Sequence, residues 1–348
     1  MTKPIRICPD CTADEGIFNR RDFLKSAGVA VAAAGTMPLW AQAADTTKPG
    51  SPESLVKVLY ESLKPEQKEK MCHDWDYMHP KMGLLRTRVS NNWHINDIQI
   101  NTEFYSKDQQ QVIKQIFEGL IHPEWHSRVY KQLEDDAGGY GNEQNIAIFG
   151  QPGDGKFELV MTGRHLTLRC DGNSAENVAF GGPIFYGHDP LGTFNETKDH
   201  PQNVYWPQAL EANKVFEMLD GKQRKLALVP AEKKRPREQD SGFRSSDFPG
   251  IPVTELSSDQ KGQVQKTLKM LLDHYRKDDQ DEALECLKKQ EGLDKCSLAF
   301  YQDGDIGKDG VWDCWRLEGP AFVWYFRGEP HVHVWVNVAS DPSVKLNA

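Results

Sequence analysis

Near its C-terminus the chain reads Pro330-His331-Val332-His333-Val334-Trp335-Val336, and this alternation admits one regular structure. A period of two puts Val332, Val334 and Val336 on one face of a β-strand. His331, His333 and Trp335 fall on the other. The valines supply burial. The two imidazoles then stand about 6–7 Å apart along the strand. Such a pair chelates a cation once a third ligand arrives from elsewhere, and is otherwise a pair of polar residues on a half-exposed strand. The third ligand decides between these readings.

An earlier stretch repeats the pattern. Leu166, Leu168 and Cys170 form an apolar face, and His165, Thr167 and Arg169 point the other way. Around these stretches the elements come in blocks. Ser51-Pro52 opens a helix with Leu55, Val56, Leu59 and Leu63 inward. A shorter helix follows Pro65. Residues 72–105 are irregular. There His73 and His79 read as cover for the core, and Asn91-Asn92-Trp93-His94 as the piece facing a pocket. Ser106 to Gln109 and Ser257 to Gln260 are capping boxes that start two further helices.

Strands are expected over 145–150, 157–161 and 162–170, and again from Ser297 to Asn337 as a four-stranded meander. Phe180 to Pro190 reads as a Gly/aromatic loop, and Pro207 to Leu219 as a helix. His274, at the end of the helix after Ser257, reads as a supporting or solvent-facing residue. Helices, strands, helices, strands in this order predict an α+β fold. Its antiparallel sheet is built from two strand blocks, about 145–171 and 296–338, and packed with helices. The expected organisation is a signal over 1–43, a tether over 44–50, a single domain over 51–340 and a tail over 341–348.

Asn19-Arg20-Arg21-Asp22-Phe23-Leu24-Lys25 precedes a charge-free run from Ser26 to Ala44, which ends Ala41-Gln42-Ala43. This is the pattern of a twin-arginine export signal cleaved near Ala43. The run is too rich in Ala and Gly, and too interrupted by Pro38, for a comfortable membrane span. The expected location is periplasmic or extracellular, reached through the twin-arginine export machinery, with no membrane span in the mature chain. Cys8 and Cys11 leave with the signal. Cys72, Cys170, Cys286, Cys296 and Cys314 remain, an odd number with no spacing that fixes a pairing.

The net charge is −9, and the mean hydropathy is −0.64. Together they argue against a membrane protein and against a nucleic-acid partner, and the one dense basic run, Lys233-Lys234-Arg235-Pro236-Arg237, is short and broken by proline. No Gly-x-Ser-x-Gly, no His-Glu-x-x-His and no dinucleotide fingerprint is present. Cys72 beside His73 is not a nucleophile pair, because adjacent residues do not face each other on a helix or strand.

Several short motifs fall in a familiar order: Gly150-Gln151-Pro152, Gly163-Arg164-His165-Leu166-Thr167-Leu168, Gly181-Gly182-Pro183-Ile184-Phe185, Gly319-Pro320, and His331-Val332-His333 with Trp335. In these the chain resembles the bacterial domain of unknown function 3500 family over roughly residues 51–340. The resemblance implies a secreted protein and a short set of recurring histidines, and it brings no biochemical function. The family's strand motif usually reads Gly-His-His-Leu. Here Arg164 replaces its first His, while His165 remains. The closing motif usually reads Gly-Asn-His-Ile-His, whereas here Glu329-Pro330 precede His331.

If the two strand blocks adjoin, His165 joins His331 and His333. Three neutral imidazoles suit zinc, copper, iron or nickel, and an open fourth position is the geometry of a catalytic rather than a structural site. Trp335, Trp324 and Tyr325 would shield it, Tyr186 and His188 would reach it, and Glu318 is the candidate base. The expected function is an exported metal-binding enzyme, hydrolytic or oxidative. Two other readings are a non-catalytic module that grips a small molecule or polymer, and a structural protein whose histidines are hydrogen-bonding sheet residues.

Overall fold

The computed structural model describes residues 49–192, 195–237, 240–244 and 246–347. The expected signal over 1–43 and most of the tether lie outside the described residues. The chain begins with helices α1 (Pro52–Ser62) and α2 (Pro65–Met71) and the short strands β1 (Cys72–His73), β2 (Met78–His79) and β3 (Gly83–Leu84). Helices α3 (Lys107–Leu120) and α4 (His126–Ala137) precede β4 (Asn145–Gly150), β5 (Phe157–Gly163), β6 (Leu166–Cys170) and β7 (Ile184–His188). Then come α5 (Trp206–Met218), α6 (Gly221–Ala227), β8 (Leu228–Val229), β9 (Ile251–Pro252), α7 (Ser258–Leu272) and α8 (Lys277–Lys289). The chain closes on β10 (Ser297–Tyr301), β11 (Cys314–Gly319), β12 (Phe322–Arg327) and β13 (Val332–Val338).

Both expected capping boxes form. The Ser106 and Ser257 hydroxyls accept from the N–H of Gln109 and Gln260, whose side chains reach back to the caps. Asp278 and Asp279 in the first turn of α8 complement its N-terminus.

One main sheet joins the two strand blocks in the order β1-β4-β5-β6-β7-β13-β12-β11-β10-β8, with β9 also on β10. The fold is α+β, but the sheet is mixed rather than purely antiparallel. β1 runs parallel to β4 and β8 parallel to β10. β8 directly follows a helix, and a strand delivered by a crossover can add in parallel where a tight hairpin cannot.

The element that unites the sheet is β7. The expected Gly/aromatic loop contains this central strand, which pairs with β6 on one side and β13 on the other. Gly187 and the run of aromatics hid its alternation. The turn before it is held by α8, because the Phe180 N–H donates to Glu282 Oε2 at 2.9 Å.

Helices pack on one face of the sheet. Val56 and Leu59 of α1, Ile113 and Phe117 of α3, and Leu268 and Leu271 of α7 share a core with Ile148, Leu159, Leu168, Ile184, Trp324, Val334 and Val336. His274 lies inside this layer among Trp125, Tyr186 and Tyr205, not at the surface. Burial pushes its pKa down to about 3.

The other face is covered by irregular chain. Leu85, Trp93 and Ile95 lie against Ala147, Phe149 and Val160. Farther along, Asn337 donates to Ser241 O, and Tyr325 to Pro236 O. Polar side chains of the sheet anchor this cover. Glu158 accepts from Arg86 at 2.6 Å and from Arg169 at 2.9 Å, and Arg169 also donates to Arg88 O. Asn347 returns the C-terminus to Thr87 and Leu84.

At the α8 contact, burial first and then Asp171 and Asp279 push the Glu282 carboxyl up to about 8 from an ordinary 4.5. The native state therefore binds a proton that the unfolded state releases, and stability falls as pH rises from about 4.5 towards 8. Glu282→Gln keeps the acceptor for Phe180 and removes the ionisation. It should be more stable than wild type by about 1–2 kcal/mol at pH 9, with the gap closing by pH 4.5. Calorimetry across that range checks this; a gap independent of pH would rule out ionisation as the cause.

Candidate functional site

The register that joins β7 to β13 sets His333 opposite Gly187 and Val332 opposite His188. On the far side of β7, β6 begins at Leu166 opposite Tyr186. His165, the residue before β6, thus reaches the same end of the sheet as His331 and His333. It sits in the tight turn from β5, not within a continuous strand. Its φ of +54° is the left-handed conformation, and its N–H donates to Asn92 Oδ1 at 3.1 Å. A non-glycine residue in this region is uncommon and directs attention to what its side chain does.

The side chain meets the other two histidines. His165 Nε2 lies 3.1 Å from His331 Nε2 and 3.0 Å from His333 Nε2. One ligand atom from each lies within 4.8 Å of the others. The rings are 0%, 4% and 4% exposed for His165, His331 and His333, so the three nitrogens converge away from bulk water. Burial, then the neighbouring His165 and His331 and the cationic Arg327 and Arg164, hold the His333 pKa well below its ordinary value.

The space for three rings is made by Gly187. A Cβ there would lie 2.5 Å from Val332 O and 3.2 Å from Cδ2 of both His165 and His333. Aromatics shield the trio on the covered face. Phe185 lies 5.6 Å from the His333 ring and Trp335 also 5.6 Å, and Trp335 in turn stacks on Tyr325. Trp324 does not take part, since it packs in the helix-side core and donates to the Tyr186 hydroxyl. Tyr186 and His188 also face the helices. His188 Nε2 lies 3.0 Å from Asp135 Oδ2, and its Nδ1 accepts from the Val204 N–H.

Glu318 lies elsewhere. It is two strands from β13 and level with Asn337, not His333. The lateral step alone is about 10 Å. Arg316 and Arg244 hold its carboxylate at 2.7 and 2.8 Å. A carboxylate so paired and so placed is not a base for the trio.

The carboxylate that does reach the trio is Asp136, in the last turn of α4. Its Oδ2 lies 2.9 Å from His165 Nδ1, off the axis of the ring N–H, and it also accepts from Gln132 at 2.6 Å. Its Oδ1 accepts from the Asp189 N–H. Burial raises the Asp136 pKa, but these partners, His165 foremost, outweigh it and keep the carboxyl below its usual range.

A second cluster steadies the β12–β13 turn that carries His331. His200 lies between Asp313 at 2.7 Å and Glu196 at 3.1 Å and stacks on Trp206. The Glu196 N–H donates to Pro330 O, and the Gly328 N–H to Asp313 O. Burial lowers the His200 pKa, and the two carboxylates more than restore it, so the imidazole is held above its ordinary value.

Asn92, Trp93 and His94, expected to face a pocket, line one of about 190 Å³ with Glu143 and Arg164. Through Asn92 this pocket touches the backbone of His165. Asp136 and Gly187 carried no usable signal in the sequence. The nearest hint is a pair of acids, Asp135-Asp136, placed just before the helix-ending Gly138-Gly139.

Gly187→Ala tests the crowding directly. It should lower stability by roughly 1–3 kcal/mol, as overpacking of a close-packed interior does. Thermal unfolding measures this, and a neutral substitution would show that the rings have room to move.

No curated protein and no solved structure matches the chain significantly. A twin-arginine translocation signal sequence matches residues 18–37, so the protein is exported across the membrane to the periplasm or beyond. Among the described residues no helix is long and apolar enough to cross a membrane. A family model described as a protein of unknown function (DUF3500) matches residues 52–337, and over that span the chain belongs to the DUF3500 family.

Proposed function

We propose that the exported protein binds a transition-metal ion through Nε2 of His165, His331 and His333, and that this ion is a catalytic centre for hydrolytic or oxidative chemistry. The observation that carries the reading is the convergence of three buried Nε2 atoms. Hydrogen bonding alone accounts poorly for it. A neutral imidazole has one N–H and one lone pair. With its proton on Nδ1, beside the Asp136 carboxylate at 2.9 Å, His165 Nε2 offers a single lone pair to two neighbours at 3.0 and 3.1 Å. A cation accepts all three lone pairs at once. With bonds near 2 Å, tetrahedral ligands lie about 3.3 Å apart, close to the two distances from His165 Nε2.

Three neutral nitrogen donors suit zinc, copper or iron, and leave a position for water or another small ligand. An ion there would activate bound water or polarise a substrate oxygen itself, which needs no carboxylate base at Glu318. The twin-arginine signal fits this reading, since that route carries folded proteins, many with a cofactor already in place. In the competing reading the histidines are hydrogen-bonded sheet residues and the protein carries no metal.

Elemental analysis of the folded, exported protein separates the two. Wild type should carry or rebind about one zinc, copper or iron ion per chain, and the double variant His331→Ala, His333→Ala should not. Metal at about 100 times its Kd should also stabilise wild type by about 2.7 kcal/mol. A wild type that neither carries nor rebinds any of these ions would sink the proposal. Retention of metal by the double variant would move the site elsewhere.

A further inference from the structure

The two acids that end α4 sit where a helix least favours negative charge, because its C-terminal carbonyls already concentrate negative potential. Asp135 and Asp136 each meet an imidazole there, but the two pairs differ. His188, the partner of Asp135, is closed at both ends, with Nε2 at the carboxylate and Nδ1 on the Val204 N–H. That pair serves as a structural pin. His165, the partner of Asp136, presents its other nitrogen to His331 and His333.

Asp136 is also tightly placed. It is 8% exposed, and Gln132 and the Asp189 N–H fix the carboxylate on both oxygens. Arg164 Nε, at 3.8 Å, is the nearest cation the structure gives it, and Arg164 makes its shorter contact, 3.0 Å, with Asp189. A buried anion at a helix C-terminus is thus compensated mainly by neutral donors. A divalent cation on the far side of the His165 ring would supply the missing positive charge through the imidazole.

We infer that Asp136 is the positioning residue of the three-histidine centre: it keeps the His165 proton on Nδ1, aims Nε2 at the metal, and raises the basicity of that ligand. This rests on the metal reading above. Partners of this kind, outside the ligands themselves, typically contribute 10–100-fold to metal affinity. The same geometry puts the Asp136 carboxylate in direct contact with a ring of the trio.

The test has three readouts. Long-range 1H–15N NMR on histidine-labelled wild type, without metal, reports which His165 nitrogen carries the proton; Nδ1–H is expected, and Nε2–H would overturn the inference with no variant needed. Zinc titration of Asp136→Asn should show affinity 10–100-fold weaker than wild type, with Asp136→Glu recovering part of the loss. Cobalt substitution should show an altered visible spectrum in Asp136→Asn, a change that a purely structural role would not produce.

If wild type binds no zinc or cobalt, the three-histidine reading falls and this inference with it. If wild type binds and Asp136→Asn binds equally well, only the role of Asp136 is lost. If Asp136→Asn does not fold, the wild-type tautomer decides.

Discussion

The backbone ladder between Ile184–His188 and Val332–Val338 holds this molecule together as one object. On one side of it lie the strands from the first half of the domain, and on the other the closing meander. Each block alone would expose an unpaired edge, the state that strands avoid by pairing or being covered. The ladder satisfies both edges at once and fixes a register. Because side chains alternate with a period of two, a slip of one residue would turn His333 and Trp335 into the helix layer and Val334 out of it. The meeting of the three histidines is therefore a consequence of one strand pairing.

The two faces of the sheet are covered by different means. Helices bury one face with aliphatic and aromatic side chains. The other receives irregular chain, whose backbone groups need partners that a helix would have provided for itself. The sheet supplies them through Thr162, Arg169, Arg316 and Asn337, while Thr167 and Glu158 hold the side chains of Trp93 and Arg86. This explains why so many polar residues on the covered face are buried. Glu318 belongs to that set, a carboxylate neutralised by two arginines that tie cover to sheet. The trio differs because its members face one another.

The histidines themselves were legible in the sequence, since alternation around His331, His333 and His165 assigns each to the face away from the valines and leucines. The capping boxes at Ser106 and Ser257 were equally plain, being local. What escaped was non-local. Ile184–His188 looked like a loop because Gly187 breaks the pattern, and the reason for that glycine is two imidazoles from distant segments. Glu318 reads as a candidate base in the sequence, but Arg244, which claims its carboxylate, comes from a loop 74 residues away. Asp136 reaches His165 only because α4 ends against the β5–β6 turn, and no periodicity announces that. The mixed character of the sheet rests on strands two residues long, β1 and β8, below what a pattern can reveal.

His165 and His331 are separated by 166 positions. Anything gripped by all three rings would close a loop spanning about half the polypeptide, and it would do so across the seam between the two halves of the sheet. It would act as a clasp: neither half could peel away without first letting go, and chain entropy opposes closing so long a loop before the fold has formed. The twin-arginine route takes chains already folded. The clasp would then be fastened on the cytoplasmic side, and the occupant chosen from what that compartment supplies, before the protein meets the medium in which it works.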